Sequence, residues 1–144
     1  MFVRYLDRQK NPDSYHVAVA SFDGRERQVI GGGGPDCAFE ASVNPSGTGI
    51  AYPGDADYSV EYDQWFCDIF LVRTDGSEPR NLTNTPFELG RANHEFAPTW
   101  APDGTAIAYE RNSYSARVEN WNHDVVVLER GALGLRVGGV AHVR

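Results

Sequence analysis

Basic residues are few in this sequence, and they are scattered. The 144 residues hold 13 Lys and Arg against 20 Asp and Glu, which gives a net charge of −7 and a pI near 5.0. Contacts to nucleic-acid phosphates need basic side chains clustered on one face, and no run of Lys or Arg is present. The composition therefore predicts no nucleic-acid partner.

Long apolar runs are absent as well. A membrane-spanning helix needs about 18 consecutive apolar residues, and the sequence contains no such stretch. The first eight residues have the pattern of a strand rather than the apolar core of a signal peptide. We therefore expect no membrane span, and a cytoplasmic location by default, or a periplasmic one if the N-terminus is incomplete.

Familiar catalytic signatures are missing too. The sequence contains no Gly-x-Ser-x-Gly elbow, no His-Glu-x-x-His pair and no Walker loop, which are the local patterns of common hydrolases, zinc peptidases and nucleotide-binding enzymes. The two cysteines are too few for a disulfide scaffold. An enzyme is therefore the less favoured interpretation, although it is not excluded.

A repeat is present in place of these motifs. Residues 39–52 and 96–109 align without a gap at a spacing of 57 positions and are identical at seven of fourteen, including a Pro-x-Gly turn. Proline presets φ for the first turn position, and glycine accepts the positive φ that ends the turn. Each copy therefore predicts a strand, a tight turn and a second strand.

A second repeated pattern follows each copy. Residues 68–76 alternate apolar and polar residues and end in Asp-Gly, residues 124–131 repeat the pattern, and residues 16–24 give a weaker copy. Alternation before Asp-Gly is typical of a hairpin. One unit therefore has four short strands, which for the last copy are residues 97–100, 107–109, 125–128 and 135–137. Repeated four-stranded units are characteristic of β-propeller blades.

The repeated residues resemble a known family. The run from Pro98 to Tyr109, together with residues 68–77 and the Arg-Asn-Leu-Thr at 80–83, is similar to the TolB-type propeller repeat, which also occurs in the propeller domains of prolyl-oligopeptidase-like peptidases. The resemblance implies an all-β fold of antiparallel four-stranded blades, and its best-known members act through protein contacts. Asn81-Leu-Thr83 fits a glycosylation pattern, but in this family it is a strand sequence and therefore structural.

The number of strands predicts an assembly. Residues 1–144 form one domain with three blades, namely about 1–38 plus 139–144, about 39–95 and about 96–138. Because propellers need about 4–8 blades, we expect two chains to close a six-bladed ring as a homodimer. In this dimer, residues 140–143 of each chain would form the inner strand of the partner's first blade. Cys37 and Cys67, two strand spacings apart, would be free thiols.

The candidate site lies in three long connections, at residues 53–67, 83–95 and 110–123. Loops longer than about 12 residues are uncommon unless they are functional or disordered. Two of them carry a carboxylate two residues before a tryptophan, in the pairs Asp63 with Trp65 and Glu119 with Trp121. Such a pair would stack on and hydrogen-bond a sugar or peptide. In the structural alternative, each tryptophan caps its blade and the aspartate three residues after it, Asp68 or Asp124, bonds loop backbone. Calcium is a further candidate ligand of these carboxylates, and no other cofactor is predicted.

Within the connection at residues 83–95, the run from Arg91 to Phe96 has no counterpart in residues 31–39, so the fold does not require it. It contributes Arg91, His94 and Glu95, and His123 is a further candidate. Two functions therefore stay open. The favoured one is a non-enzymatic module that binds a protein, peptide or glycan through these loops. The alternative is a metal-assisted lyase or hydrolase at the channel mouth, in which a histidine binds metal or moves a proton.

Overall fold

All regular structure described in the computed structural model is β-strand, as the repeat predicts. The description covers residues 2–6, 15–21, 23, 27–32, 40–55, 66–85, 91–115, 120–131 and 134–143. The strands in chain order are β1 (Phe2–Leu6), β2 (Tyr15–Ala20), β3 (Arg27–Gly32), β4 (Ser42–Val43), β5 (Gly49–Asp55), β6 (Phe66–Arg73), β7 (Arg80–Asn81), β8 (Arg91–Trp100), β9 (Ala106–Ser115), β10 (Asn120–Gly131) and β11 (Gly134–Val143). Across these ranges no helix is long and apolar enough to cross a bilayer.

The strands form two sheets. β1, β2 and β3 make an antiparallel three-stranded sheet, and the other strands make a mixed sheet in the order β11-β10-β9-β8-β6-β5-β4, with β7 also paired to β6. Within the mixed sheet, β4–β7 and β8–β11 are each an antiparallel meander, as predicted for one repeat unit. The two meanders are joined by a short parallel contact between β6 and β8, at Phe66 with Asn93 and Cys67 with His94.

The repeated Pro-x-Gly turns have the predicted geometry. Gly47 and Gly104 both have φ of 73°, and their N–H groups donate to the carbonyls of Asn44 and Ala101, at 2.9 Å in each case. A side chain at this positive φ is disfavoured, so glycine suits both positions. The two copies therefore form the same local structure.

Apolar side chains pack between successive groups of strands. One cluster joins Val17 on β2 to Ile50, Tyr52 and Val72 on β5 and β6. A second joins Ile69 on β6 to residues of β9 and β10, namely Tyr109, Val126 and Leu128. Because each cluster draws side chains from two groups of strands, burial of apolar surface holds the groups face to face. This is the packing expected of a repeat architecture.

Two of the connections predicted as long loops contain strand residues in their described parts. Residues 91–95 belong to β8, residues 110–115 to β9 and residues 120–123 to β10. Cross-strand pairing continues through this region, from Glu95 with Arg111 to Arg91 with Ser115 and from Asp124 with Arg111 to Asn120 with Ser115. The loop prediction was wrong here because polar residues that alternate along a chain also form strands when a partner satisfies their backbone groups.

The C-terminal segment also differs from the prediction. Residues 139–143 do not form a separate strand but continue β11, where Gly139 pairs with Val127 and Val143 with His123, after an irregularity between Val127 and Leu128. The expected extra strand is therefore absent from the described part of this chain, because β10 offers these residues a backbone partner within the same meander.

Cys67 corrects a further prediction. It is fully buried and disulfide-bonded, so it is not the free thiol expected from the sequence. The other cysteine of the chain, Cys37, lies outside the described residues. The expectation placed the cysteines just before two strands of one blade, but Cys67 lies within β6 and β4 begins only at Ser42, five residues beyond Cys37. Because Cys37 precedes β4 by five residues, the number of strands between the cysteines does not determine the distance between their sulfurs.

Candidate functional site

The candidate site is built on the half of β8, β9 and β10 that extends beyond the repeated turns. In β8 an irregularity between Phe96 and Thr99 separates this half from the part that matches the repeat, and Ala97 at the irregularity has φ of 52°. Successive side chains of a strand point to opposite faces. The extension therefore presents two different surfaces.

One surface carries the predicted histidines. His94 and His123 both have Asn112 as their cross-strand neighbour, on β8 and β10 respectively. Asn112 Oδ1 accepts a hydrogen bond of 2.5 Å from Nδ1 of His123, and the His94 ring lies 5.2 Å from that of Phe96, tilted by 34°. We call this surface the histidine face; it comprises His94, Phe96, Asn112, Tyr114, Trp121 and His123.

An aromatic pair extends the histidine face. Trp121 and Tyr114 are cross-strand neighbours, their ring centroids are 5.1 Å apart, and the rings are tilted by 37°. Trp121 keeps 44% of its surface exposed, and His123 is also exposed. Aromatic neighbours at this distance attract each other and restrict each other's rotamers. The face therefore offers a large, ordered aromatic surface beside a polar pair.

The opposite surface carries buried charges. Glu95, Arg111 and Asp124 are consecutive cross-strand neighbours on β8, β9 and β10. Arg111 Nη2 lies 2.7 Å from Asp124 Oδ2, and the side chains are 29% and 4% exposed. A charge-assisted contact of this length is among the stronger polar interactions in a protein. It ties β9 to β10 at the point where the apolar core ends.

Asp68 joins this group from β6. Its Oδ2 accepts a 2.6 Å hydrogen bond from Asn81 Nδ2, and its Oδ1 accepts one of 3.2 Å from the backbone N–H of Thr85. The Thr85 hydroxyl in turn donates to Glu95 Oε1 at 3.4 Å. We call Asp68, Glu95, Arg111 and Asp124 the carboxylate cluster. It connects both meanders of the mixed sheet.

Glu95 is the least satisfied member of the carboxylate cluster. It is 1% exposed, and its Oε2, Asn93 Nδ2 and Arg111 Nε each lack a hydrogen-bond partner. Burial raises the pKa of Glu95, and the Asp68 charge raises it further, while nearby Thr83, Asn93 and Arg111 offset this only in part. Burial likewise raises the pKa of the neighbouring Tyr109. The environment therefore favours the protonated form of Glu95.

The predicted site residues are thus divided. His94, Trp121 and His123 lie on the histidine face, whereas Glu95 lies on the other surface, and the backbone of Arg91 begins β8. Asp63, Trp65 and Glu119 lie outside the described residues. Since His94 and Glu95 are adjacent in a strand, they point to opposite faces and do not form one site. Glu95 is buried in the paired strand β8, not in a loop as the sequence predicted.

Sequence reasoning missed Asn112 and Tyr114. Their signal was present in the alternation of polar and aromatic residues at 112 and 114 and at 121 and 123, which is typical of two strands sharing a face. In contrast, the expectation that Asp68 bonds loop backbone is confirmed by its contact with Thr85. Asp124 accepts a hydrogen bond from the side chain of Arg111.

No metal centre is evident in the described part of the chain. Within it, no group of three or more His, Cys, Asp or Glu is placed to hold a metal ion. The calcium expectation rests partly on Asp63 and Glu119, which lie outside that part, so it stays a prediction.

Comparisons with known proteins support the fold alone. No protein-family model and no curated protein matches this sequence. Among solved structures, the crystal structure of the tricorn protease is similar, with a TM-score of 0.51 and 17% identity, over 90% of this chain and 13% of that chain. The tricorn protease contains propellers, so the similarity agrees with a propeller-like arrangement of the strands. This chain spans a small part of that neighbour's length, and at this identity the similarity indicates no activity.

Proposed function

We propose that this chain is a non-enzymatic, TolB-like binding module that holds a protein, peptide or glycan on its histidine face. The exposure of Trp121 carries the proposal. A tryptophan that only capped its own sheet would bury its ring, whereas Trp121 is 44% exposed and is held by Tyr114 on the neighbouring strand. Ordered aromatic surface of this kind is enriched at the centres of binding interfaces.

The neighbouring polar groups support the same use. Asn112 and His123 are coupled by their hydrogen bond, which leaves the amide nitrogen of Asn112 and Nε2 of His123 for a ligand. Amide and imidazole groups beside an aromatic ring fit a peptide bond or a sugar hydroxyl, since both offer donors and acceptors next to apolar surface. The site sits on paired strands rather than on loops, so little ordering is needed on binding.

A selection experiment tests this function. Random peptide display and a glycan array would be screened with the wild-type chain, and each ligand found would be measured against Trp121→Ala, His123→Ala and the control Thr99→Ala, an exposed position on the other half of β8. Loss of a central aromatic residue should lower the affinity by about thirty-fold, or ~2 kcal/mol. Trp121→Phe should retain much of it. Ligands that bind Trp121→Ala and Thr99→Ala equally well would place the binding surface elsewhere.

We further propose that the chain supplies three blades of a propeller and that two chains close the ring as a homodimer. The two apolar clusters between successive groups of strands support blade-like packing. Propellers need about 4–8 blades, and closed two-fold dimers are the commonest oligomers. Because residues 139–143 pair with β10, we propose closure by packing of sheet faces rather than by exchange of strands. Light scattering should give twice the 15.9 kDa chain mass, and a monomer at all concentrations would contradict closure.

The alternative function, a metal-assisted lyase or hydrolase, has less support. It relies on His94 and Glu95 acting together, and these side chains lie on opposite faces of β8. Metal analysis of the purified protein addresses it directly. A stoichiometric transition metal that is lost in His94→Ala would favour the enzyme over the binding module.

A further inference from the structure

A cleft opens at the end of the sheet opposite the histidine face. It has a volume of about 500 Å³ and lies among the tight turns that follow β4, β6 and β8 and the end of β10. We call it the turn-edge cleft; the lining residues that matter here are Asn44, Arg73, Glu78, Arg80, Trp100 and Arg130. The proposed function makes no use of it. Its volume falls in the range of small-molecule sites.

Three arginines reach the turn-edge cleft from three different strands. Arg73 ends β6, Arg80 begins β7 and Arg130 lies near the end of β10. Glu78 is the acidic residue among the lining residues, so the cleft is cationic although the chain as a whole carries −7. A concave cationic surface concentrates field lines and attracts anions.

The arginines are largely uncompensated. Arg73 Nε lies 3.9 Å from Asp75 Oδ2, and both side chains are at least half exposed, which makes this a weak pair. Within the described residues, the guanidinium groups of Arg80 and Arg130 have neither an ion-pair partner nor a hydrogen bond. A guanidinium presents its donors in a planar fork that matches carboxylate and phosphate oxygens. Two residues with such groups line one cleft, so both can pair with the same anion.

Trp100 gives the turn-edge cleft a fixed aromatic wall. Its Nε1–H donates to the carbonyl of Ser42 at 3.2 Å, which ties the half-buried ring of β8 to β4. Asn44, which also lines the cleft, accepts at Oδ1 from the N–H groups of Thr48 and Gly49 at 2.8 and 3.1 Å, so this turn is ordered as well. An indole next to guanidinium groups is a good stacking surface for a planar group.

We propose that the turn-edge cleft binds a small polyanion, carrying phosphate or carboxylate groups that pair with Arg80 and Arg130, and that a planar group on the ligand stacks on Trp100. This site is separate from the histidine face. It gives the chain two binding surfaces at opposite ends of the same strands.

Calorimetry on the full chain at low ionic strength (about 50 mM salt, so that screening stays modest) tests the proposal. Inorganic tripolyphosphate probes phosphate, citrate probes carboxylate, and ATP adds a planar base. Tripolyphosphate or citrate should bind. The probe with the lower Kd shows whether the cleft prefers phosphate or carboxylate groups. Arg80→Gln and Arg130→Gln should each weaken it by about tenfold, which corresponds to one charge-assisted hydrogen bond. Glu78→Gln should strengthen it, because it removes the negative charge from the lining.

Two controls separate a site from general attraction. Arg4→Gln removes one positive charge from β1, in the other sheet, and should leave the affinity unchanged. Trp100→Phe keeps an aromatic ring and should retain the advantage of ATP over tripolyphosphate, whereas Trp100→Leu should abolish it. Circular dichroism would confirm that each variant is folded.

Three outcomes would overturn the proposal. The first is no binding of any of the three probes at millimolar concentration. The second is an equal loss in Arg4→Gln and Arg130→Gln, which would indicate long-range attraction instead of a site. The third is unchanged affinity in both Arg80→Gln and Arg130→Gln. If ATP and tripolyphosphate bound equally, the stacking role of Trp100 would be wrong.

Discussion

Arg111 pairs with Asp124 and leaves Glu95 without an ion pair, although both carboxylates lie directly across from it on the neighbouring strands. Its Nη2 is 2.7 Å from Asp124 Oδ2, whereas Glu95 Oε2 has no hydrogen-bond partner. The Arg111 guanidinium is therefore ion-paired with only one of the two buried carboxylates. The two carboxylates should therefore respond differently to substitution and to pH.

Asp124→Asn should destabilise the protein by about 2–3 kcal/mol, because removal of one partner leaves a largely desolvated charge behind. The cost stays below that of a fully buried pair, since 29% of the Arg111 side chain reaches solvent. Urea denaturation at neutral pH measures it. Arg73→Gln, which removes the exposed pair with Asp75, is the control and should change stability by less than about 0.5 kcal/mol. Equal effects would mean that the Arg111 pair contributes no more than a surface contact.

Glu95→Gln should stabilise the protein at pH 8 but not at pH 4. The folded-state pKa of Glu95 is raised above its ordinary value of 4.5, mainly by burial, so its favourable contribution is complete below about pH 4.5 and is lost as the pH rises through the raised pKa. Glutamine carries no charge at either pH. The gain at pH 8 should be on the order of 1–2 kcal/mol.

Melting curves of the wild type and Glu95→Gln between pH 4 and pH 8 test this prediction. The difference between the two should widen as the pH rises. Asp124→Asn serves as the matched control, because it changes another buried carboxylate and should destabilise at neutral pH. A constant difference across the range would show that Glu95 does not change its protonation preference on folding.

Asn81→Asp should cost about 2–4 kcal/mol at neutral pH. Asn81 Oδ1 accepts from the N–H groups of Thr83 and Asn84, and aspartate preserves those contacts, but its second oxygen would face Asp68 where the Nδ2 donor now lies at 2.6 Å. Two like charges in a part-buried site are strongly unfavourable. Stability should recover at acid pH, when one carboxyl takes up a proton. Asn44→Asp, in the exposed turn, should cost less than about 1 kcal/mol.

Thiol titration in denaturant without reductant should find at most one thiol per chain, because Cys67 is disulfide-bonded and the sequence contains one other cysteine. Reduction should lower the free energy of unfolding by roughly 2–4 kcal/mol, as loss of a native disulfide usually does. Cys67→Ala should reproduce the effect of the reductant and abolish any further response to it. Two thiols in the untreated protein would contradict the bond.

Trp100→Ala should destabilise more than Trp121→Ala does. Trp100 is half-buried and donates to Ser42, so we expect a loss of about 2–3 kcal/mol, below the range for a fully buried aromatic residue. Trp121 is 44% exposed, and its removal should cost about 1 kcal/mol or less. Thermal melts compare the two. A larger loss in Trp121→Ala would assign Trp121 to the core and remove the basis of the proposed binding face.

The local structure followed from the sequence wherever neighbouring residues decide it. The positive φ of Gly47 and Gly104 is set within a turn of four residues. The strands on either side are indicated by alternating apolar and polar residues, because successive side chains of a strand point to opposite faces. The all-β fold was predictable for the same reason, because the pattern recurs along the chain. The chemical types at the candidate site, such as Trp121 and the two histidines, were also visible.

The pairing of strands that are distant in the chain determines which of these residues lie next to each other. His94, Asn112 and His123 share a face, and Glu95 is buried behind them, because β8, β9 and β10 pair in one register; a shift by one residue would exchange the two faces. Register and burial depend on residues far apart in the chain, so a local pattern does not reveal them. Local sequence patterns therefore predicted the repeated strands, the tight turns and the types of side chain, whereas the pairing of distant strands extended β8, β9 and β10 and determined which side chains form a site.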